Sequence, residues 1–202
     1  MGKTGDDLLC GGAGRDQVRY DYDDQGYGGV HGIMADLNLG RVVDTSGDTD
    51  TLITIEDISG SVFADVVLGR GGSKACGQNG LNGNGGDDTI DGRGGIDILT
   101  GGDGADTFVF SSRQGYDYLR DFAHGQDHIQ LSPDTFRALG TAFTRDEFHR
   151  HATADPDSAI YYDSRTGVLS YEFHWADRSS AAGIIAQLNP GDIVSFSDLT
   201  FF

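Results

Sequence analysis

Residues 83–109 run Gly83-Asn84-Gly85-Gly86-Asp87-Asp88-Thr89-Ile90-Asp91, Gly92-Arg93-Gly94-Gly95-Ile96-Asp97-Ile98-Leu99-Thr100 and Gly101-Gly102-Asp103-Gly104-Ala105-Asp106-Thr107-Phe108-Val109. These are three consecutive copies of one nine-residue pattern. Each copy has glycine at its first position, aspartate at its sixth and a large apolar residue at its eighth. The pattern predicts a glycine-rich turn that carries one carboxylate, followed by a short strand with one inward side chain. Tandem copies of such a unit are typical of a solenoid, in which each unit packs against its neighbours.

More copies of the pattern occur on the N-terminal side. Steps of nine back from Asp106 give Asp97, Asp88 and Asn79 at the sixth position. Copies at 2–10 and 11–19 place Asp7 and Asp16 there, and a weaker copy at 60–68 places Asp65 there. The phase slips by five residues, 69–73, which predicts an insertion loop. The predicted inward side chains are Leu9, Val18, Leu81, Ile90, Leu99 and Phe108.

The sequence predicts two regions. Residues 1–110 form the repeat region, with a segment at about 20–59 that lacks the pattern. Alternation of Ile33, Ala35, Leu37 and Leu39, and of Ile53 and Ile55, still indicates strands there. Two alternatives remain for this segment: solenoid coils of different sequence, or an interruption that carries loops. Residues 111–202 form a C-terminal cap, which contains every proline and the tryptophan; we expect short helices at 134–139 and 145–151, and two strands about Gly167 within 160–171.

The charge of the chain excludes some partners. Asp and Glu number 32 against 14 Lys and Arg, a formal net charge of -18. This sign argues against nucleic acid and against anionic membrane surfaces. No apolar run is long enough to span a bilayer. Because nearly all the acidic residues are aspartates in predicted turns, the charge predicts cation sites there.

The stacking of repeats places these carboxylates in rows. In a parallel β-roll two repeats make one turn, so repeats two apart stack at about 4.8 Å. Asp88 then lies above Asp106, and Asn79 above Asp97. A cation between turns can take an aspartate oxygen from each turn and backbone carbonyls from both loops, a set that fits calcium better than magnesium. The predicted ligands of several calcium ions are Asp88, Asp97, Asp106, Asn79, Asp7, Asp16, Asp65, Gly83, Gly85, Gly92, Gly94, Gly101 and Asp103.

Catalytic patterns are missing from the sequence. There is no H-E-x-x-H and no G-x-S-x-G. His149 and His151 could bind a transition metal together with His174, but ordinary surface histidines are the favoured interpretation. We therefore expect that the chain is not an enzyme, and that any catalytic activity lies in an upstream domain.

The tandem nonapeptides resemble those of the repeats-in-toxin (RTX) family of secreted bacterial proteins. Residues 118–132 are similar to the family's D-F-x-x-G-x-D-x-I-D-L-S element, with Gln130 where the family has aspartate. Residues 198–202 resemble its C-terminal export signal. The resemblance implies secretion by type I machinery without a cleaved N-terminal signal, and a fragment that begins in mid-array as the tail of a larger protein. Cys10 and Cys76 are predicted to be free, half-buried thiols.

These patterns together predict an all-β fold, a right-handed parallel β-roll solenoid of calcium-binding nonapeptides with a β-rich C-terminal cap. The predicted function is calcium-dependent folding and type I secretion of a larger extracellular protein. The alternative is a calcium-dependent carbohydrate-binding or adhesion module that contacts extracellular polysaccharide. In that case exposed aromatic rings would stack on sugars, and the candidates are Tyr20, Tyr22, Tyr27 and Trp175.

Overall fold

Two nine-stranded sheets build the molecule. The computed structural model describes residues 5–21, 29–72, 77–136, 144–149, 159–174 and 180–201. Sheet 1 has the order β1-β5-β4-β3-β7-β9-β11-β13-β18, and sheet 2 the order β14-β15-β16-β17-β12-β10-β8-β6-β2. Their strands are β1 (Leu8–Cys10), β2 (Gln17–Arg19), β3 (Met34–Asp36), β4 (Arg41–Val43), β5 (Thr49–Ile53), β6 (Asp57–Ser59), β7 (Val66–Leu68), β8 (Gly80–Gly85), β9 (Thr89–Asp91), β10 (Ile98–Asp103), β11 (Thr107–Phe110), β12 (Asp117–Leu119), β13 (His128–Leu131), β14 (Phe148–His149), β15 (Ala159–Asp163), β16 (Val168–His174), β17 (Ser180–Gln187) and β18 (Leu199–Phe201).

The repeats form a parallel β-roll in which consecutive repeats alternate between the two sheets. Ile90 of β9 pairs with Phe108 of β11 in sheet 1, and Leu81 of β8 pairs with Leu99 of β10 in sheet 2. The partners in each pair are separated by two nonapeptides, which make one turn of the coil. This confirms the predicted stacking. The eighth-position side chains form the core between the sheets: Leu81, Ile90, Leu99 and Phe108 are at most 1% exposed.

The insertion predicted at 69–73 appears in the register of both sheets. Ile58 pairs with Leu81, and Val67 pairs with Ile90. In both pairs the partners are separated by two nonapeptides and five further residues. The five extra residues therefore enlarge one turn without disturbing either stack. Residues 73–76, including Cys76, lie outside the described residues, and Cys10 is a free, exposed thiol rather than a half-buried one.

The segment at 20–59 contains an antiparallel meander. β3, β4 and β5 pair antiparallel with one another, β5 pairs in parallel with β1, and β3 pairs in parallel with β7. β6 meanwhile pairs directly with both β2 and β8 in sheet 2. In sheet 1 the strands β3 and β4 thus lie between β5 and β7, whereas in sheet 2 no described strand lies between β6 and β8.

Two apolar residues of the alternating pattern in the meander are exposed. Leu39 is 72% exposed because it lies in the turn between β3 and β4, and Ile53 is 45% exposed because Leu52 takes the inward position on β5. Ile33, Ala35, Leu37 and Ile55 are buried.

The C-terminal region continues both sheets. β12 and β17 extend sheet 2 from β10, while β13 and β18 extend sheet 1 from β11. The predicted strand pair about Gly167 is confirmed by β15 and β16, with Gly167 at a φ of +74°. Of the two predicted helices, the first is not seen, since Asp134 and Thr135 lie in a turn. The second is confirmed only over 145–147, a 3-10 helix that leads into β14. Residues 137–143 and 150–158 lie outside the described part. Within it, no helix has the length and hydropathy to cross a membrane.

Candidate metal centre: two rows of carboxylates

A row of stacked carboxylates runs along the turns that lead into sheet 1. Each sixth-position residue donates its backbone N–H to the carboxylate of the next coil. Asp65 donates to Oδ1 of Asp88 at 2.7 Å, Asp88 to Oδ1 of Asp106 at 3.0 Å, and Asp106 to Oδ1 of Asp127 at 3.0 Å. We call Asp65, Asp88, Asp106 and Asp127 the sheet 1 ladder. It begins at Ile33, which donates to Oδ1 of Asp65 at 2.6 Å but has no carboxylate of its own.

The opposite turns carry a second row, the sheet 2 ladder, which consists of Asp16, Glu56, Asn79, Asp97 and Asp117. The Asn79 N–H donates to Oδ1 of Asp97 at 2.7 Å, and the Asp97 N–H donates to Oδ1 of Asp117 at 3.0 Å. The Asp16 N–H donates to Oε2 of Glu56 at 3.0 Å. The amide Nδ2 of Asn79 donates to the Glu56 carbonyl at 2.7 Å, which joins the two halves of this row.

The second oxygen of several ladder carboxylates has no hydrogen-bond partner. This holds for Oδ2 of Asp16, Asp88, Asp97 and Asp106, and all four atoms are buried. A buried carboxylate oxygen without a donor costs free energy unless a cation neutralises it. The four atoms therefore mark positions for cations along the turns.

The opening glycine of each repeat lies against these oxygens. A Cβ added at Gly83 would be 1.9 Å from Oδ2 of Asp88 and 2.7 Å from the Gly101 carbonyl oxygen. At Gly101 it would be 2.1 Å from Oδ2 of Asp106. At Gly92 it would be 2.6 Å from Oδ2 of Asp97 and 3.0 Å from Oδ2 of Asp117. A carboxylate oxygen thus lies beside each of these opening glycines, joined by a carbonyl oxygen at Gly83 and by a second carboxylate oxygen at Gly92. Such oxygen donors fit a hard cation such as calcium.

Backbone conformation explains glycine at two other positions of the repeat. The second residues Asn84, Arg93 and Gly102 have φ of +76°, +65° and +107°. The fourth residues Gly86, Gly95 and Gly104 have φ between +100° and +141°. Residues with a Cβ resist this region, so the turn selects glycine, or tolerates Asn and Arg at some cost.

The third-position residues contribute differently. The Gly94 carbonyl oxygen lies 2.7 Å from where a Cβ on Gly77 of the stacked coil would be, whereas the nearest atom to a Cβ added at Gly85 is 3.8 Å away. The Asp103 carbonyl accepts the Gly86 N–H at 2.9 Å, and the Asp103 side chain is exposed. The predicted metal-binding roles of Gly85, Gly94 and Asp103 stay predictions.

Burial changes the acidity of the ladders. It raises the pKa of Asp88 to about 8 and that of Asp106 to about 6, with added repulsion from neighbouring carboxylates. Burial, followed by repulsion from Asp117, also raises the pKa of Asp97, and burial raises that of Asp117. Carboxylates stacked this closely repel one another when ionised, so the folded state favours a proton or a cation between them.

Two predicted ligands, Asp65 and Asn79, have fewer free oxygens, and a third, Asp7, is only half-buried. Ser61 donates its N–H to Oδ2 of Asp65 at 2.6 Å and its hydroxyl to Oδ1 at 2.7 Å, so both oxygens of Asp65 already have donors. Oδ1 of Asn79 accepts the Arg70 N–H at 2.7 Å. Asp7 is half-buried and donates its N–H to Oδ1 of Asp50 at 3.1 Å. Their part in metal binding stays a prediction.

Four acidic residues of these turns escaped the sequence pattern: Asp50, Glu56, Asp117 and Asp127. The step from Leu99 to its partner Leu119 is two residues longer than two nonapeptides, and the step from Phe108 to Ile129 is three residues longer. Steps of nine therefore miss both Asp117 and Asp127. The signal that could have found them is an acidic residue two positions before a buried apolar one. Asp117, Asp127, Asp50 and Glu56 are followed two positions later by Leu119, Ile129, Leu52 and Ile58, which are all buried.

Transition-metal ligands do not gather elsewhere in the described residues. Within the described residues, in the ladders as elsewhere, no three His, Cys, Asp or Glu side chains converge in a metal-binding group. The His149 ring stacks on Tyr161 with 5.5 Å between ring centroids. His151 and the His174 side chain lie outside the description, so the histidine site stays a prediction.

The stacked nonapeptide coils and their carboxylate rows define the class: this is a calcium-binding RTX β-roll. Residues 1–19 match the family model of the RTX calcium-binding nonapeptide repeat. Residues 51–188 match that of the peptidase M10 serralysin C-terminal domain, and the chain belongs to this family.

Solved structures that are similar to this chain include two subunits of the mannuronan C5-epimerase of Azotobacter vinelandii. The AlgE6R3 subunit is 23% identical with a TM-score of 0.43, covering 72% of this chain and 77% of its own. The AlgE6R2 subunit is 19% identical with a TM-score of 0.41, covering 98% and 93%. No curated protein sequence matches the chain.

Proposed function

We propose that this chain is a calcium-operated folding module for a larger, type I secreted bacterial protein. The observation that carries the proposal is the set of buried Oδ2 atoms without partners on Asp16, Asp88, Asp97 and Asp106. In a chain of formal net charge -18, folding brings carboxylates that repel one another when ionised into two rows. Calcium ions between the coils neutralise these rows, and their binding free energy adds to the free energy of unfolding.

This coupling suits export. At low calcium the repulsion within the ladders keeps the chain unfolded, which is the state that a narrow exporter can pass. In an extracellular medium with millimolar calcium the roll folds. In this proposal the chain itself has no catalytic role, and turnover belongs to an upstream domain.

The proposed export signal has a defined place in the folded chain. Asp198 ends a 3-10 turn, and Leu199–Phe201 form β18, which pairs in parallel with β13. Asp198 is 2% exposed and accepts hydrogen bonds from Ser195 and Gly125, so the motif is part of the folded roll. Machinery that reads this motif would therefore do so before the roll closes.

A calcium titration followed by far-UV circular dichroism tests the folding proposal. Calcium should raise the β signal cooperatively and raise the melting temperature, and magnesium at equal concentration should do much less. A chain that is fully folded in chelator would contradict the proposal.

Deletion of 198–202 tests the export proposal. Secretion from a host with a matching exporter should fall, while most calcium binding remains because the ladder oxygens lie outside the deleted segment. Unchanged secretion would remove the export role and leave the folding role standing.

The carbohydrate-binding alternative loses one of its four aromatic candidates. Tyr20 is 1% exposed, and its hydroxyl donates to Oδ2 of Asp50 at 2.8 Å, so its ring is not available to a sugar. Tyr22, Tyr27 and Trp175 lie outside the described residues. Calcium-dependent binding on a glycan array would restore this alternative.

A further inference from the structure

Asp44 lies outside every repeat but shares one feature with four ladder aspartates, a buried Oδ2 that has no hydrogen-bond partner. It follows β4 in the meander and begins the turn to β5. Its Oδ1 accepts the N–H groups of Ser46 and Asp48, both at 2.9 Å. Its Oδ2 is buried and has no hydrogen-bond partner, and the residue is 1% exposed.

This combination singles out Asp44. Among the described aspartates, the others with a buried Oδ2 that lacks a partner are Asp16, Asp88, Asp97 and Asp106, all of which occupy sixth positions of the repeat. Asp44 reaches the same state from a different backbone: its turn is held by the bond from the Asp44 N–H to the Asp48 carbonyl at 2.9 Å. The unpartnered oxygen is therefore not a by-product of nonapeptide stacking.

Further carboxylates surround this turn. Asp50 is fully buried and pairs with Val42 across β4 and β5; Asp44 comes two residues after Val42, so the alternation of the strand places both carboxylates on the same buried face. Each oxygen of Asp50 accepts a single hydrogen bond, from the Asp7 N–H and from the Tyr20 hydroxyl. A carboxylate oxygen has a second lone pair, so Asp50 can still bind a cation.

We propose that Asp44 and Asp50 are the anionic ligands of an additional calcium site in the meander, distinct from the sites between nonapeptide turns. Carbonyl oxygens of the 44–48 turn and water complete the oxygen set that calcium requires. The site joins the turn after β4 to β5 by neutralising two carboxylates that the fold buries on the same face. It does not depend on the folding role proposed above, because Asp44 lies outside the ladders.

The test compares two isosteric changes in one turn. Asp44→Asn keeps the acceptor for Ser46 and Asp48 but replaces the unpartnered oxygen by an uncharged amide group. Asp48→Asn removes the same charge four residues away and keeps the acceptor for the Gly5 N–H. Native mass spectrometry of the full chain at saturating calcium should show one ion fewer for Asp44→Asn and the wild-type number for Asp48→Asn. An unchanged ion count in Asp44→Asn, or equal losses in both variants, would overturn the proposal.

Terbium luminescence gives a second measurement should Asp44→Asn fold poorly. Tyr20 contacts Asp50 and can transfer excitation to a terbium ion that replaces calcium nearby. Tyr20→Phe should lower tyrosine-sensitised emission, and Asp44→Asn should abolish that Tyr20-dependent part. Emission that is unaffected by Tyr20→Phe would also overturn the proposal. Loss of ions in Asp88→Asn with none lost in Asp44→Asn would reject this site alone and leave the ladder sites intact.

Discussion

The backbone N–H of Asp88 donates to Oδ1 of Asp106 at 3.0 Å, and Oδ2 of the same Asp106 side chain is buried without a partner. One oxygen of the carboxylate therefore holds neighbouring coils in register, and the other is available to a cation. Removing the charge should therefore weaken cation binding, whereas removing the whole side chain should also remove the contact that holds neighbouring coils in register.

Asp88→Asn should weaken calcium binding at one position by about tenfold or more, equivalent to about 1.4 kcal/mol, because an anionic ligand is lost while an acceptor for the Asp65 N–H remains. Asp65→Asn is the matched control in the same ladder, since Ser61 already donates to both oxygens of Asp65. Isothermal titration would compare the two. An equal loss of affinity in both variants would show that the Ser61 contacts do not exclude calcium.

Leu99→Ala should destabilise the roll by roughly 2–5 kcal/mol, because it empties the core beneath Leu81 and Leu119. The loss should persist at saturating calcium. Asp97→Ala should instead give a defect that shrinks as calcium rises, since tighter occupation of the remaining sites offsets the missing ligand. Thermal melts at low and high calcium would distinguish these effects, and parallel responses of the two variants would contradict the separation of core from ligand.

Gly83→Ala should disrupt a cation position even though the φ of Gly83 is not positive. The added Cβ would lie 1.9 Å from Oδ2 of Asp88, so the carboxylate must move. Gly71→Ala is the control, because its Cβ would meet nothing within 4 Å. Calcium affinity and melting temperature should fall in the first variant and hold in the second. A normal calcium affinity in Gly83→Ala would mean that Asp88 does not bind from this position.

The metal-free protein should gain stability as the pH falls from about 8 towards 4. The pKa of Asp88 in the fold is about 8 and that of Asp106 about 6, against an ordinary 3.8, so the folded state binds more protons than the unfolded state in this range. Calcium competes with these protons, so its affinity should fall over the same range. The far-UV β signal in chelator, which reports the folded fraction, and calcium titrations at about pH 5 and about pH 8 measure both trends. A chelated protein that loses stability on mild acidification would argue against burial of these carboxylates.

His124→Ala should loosen the C-terminal strand. His124 Nδ1 lies 2.7 Å from Oδ2 of Asp198, and the Gly125 N–H donates to Oδ1 of Asp198 at 3.3 Å. Loss of the first contact should lower the local opening free energy of β18 by about 1 kcal/mol, since the imidazole is partly exposed. Hydrogen exchange of Leu199–Phe201 should accelerate while that of β9 stays unchanged. Uniform acceleration would indicate a global effect instead.

Periodicity revealed the regular coils but not the departures from it. Leu81, Ile90, Leu99 and Phe108 lie where steps of nine place them, because each coil repeats the contacts of its neighbour. The sequence also located the five-residue insertion, because it shifts the nonapeptide phase by five residues for the strands of both sheets. Asp117 and Asp127 were missed because their coils, longer than two nonapeptides, keep the stack but lose the phase.

The meander shows a different limit of sequence reasoning. Alternation pointed to β3 and to the end of β5 but missed β4. It also cannot give the partners of a strand, so parallel coils and an antiparallel insertion looked alike. On β5 the choice between Leu52 and Ile53 as the inward residue depends on pairing with β1. That register involves residues that are distant in the sequence, since Leu9 is the partner of Leu52.

The two extra strands of sheet 1 also separate its carboxylates into unequal groups. Asp7 and Asp50 lie on one side of β3 and β4, while Asp65, Asp88, Asp106 and Asp127 lie on the other. Along the opposite edge Asn79 links to Glu56 without such a gap. In a linear array, cooperativity passes only between nearest neighbours. The N-terminal coils are therefore coupled to the rest through one edge only, and calcium should fill them in a separate, less cooperative phase of the titration.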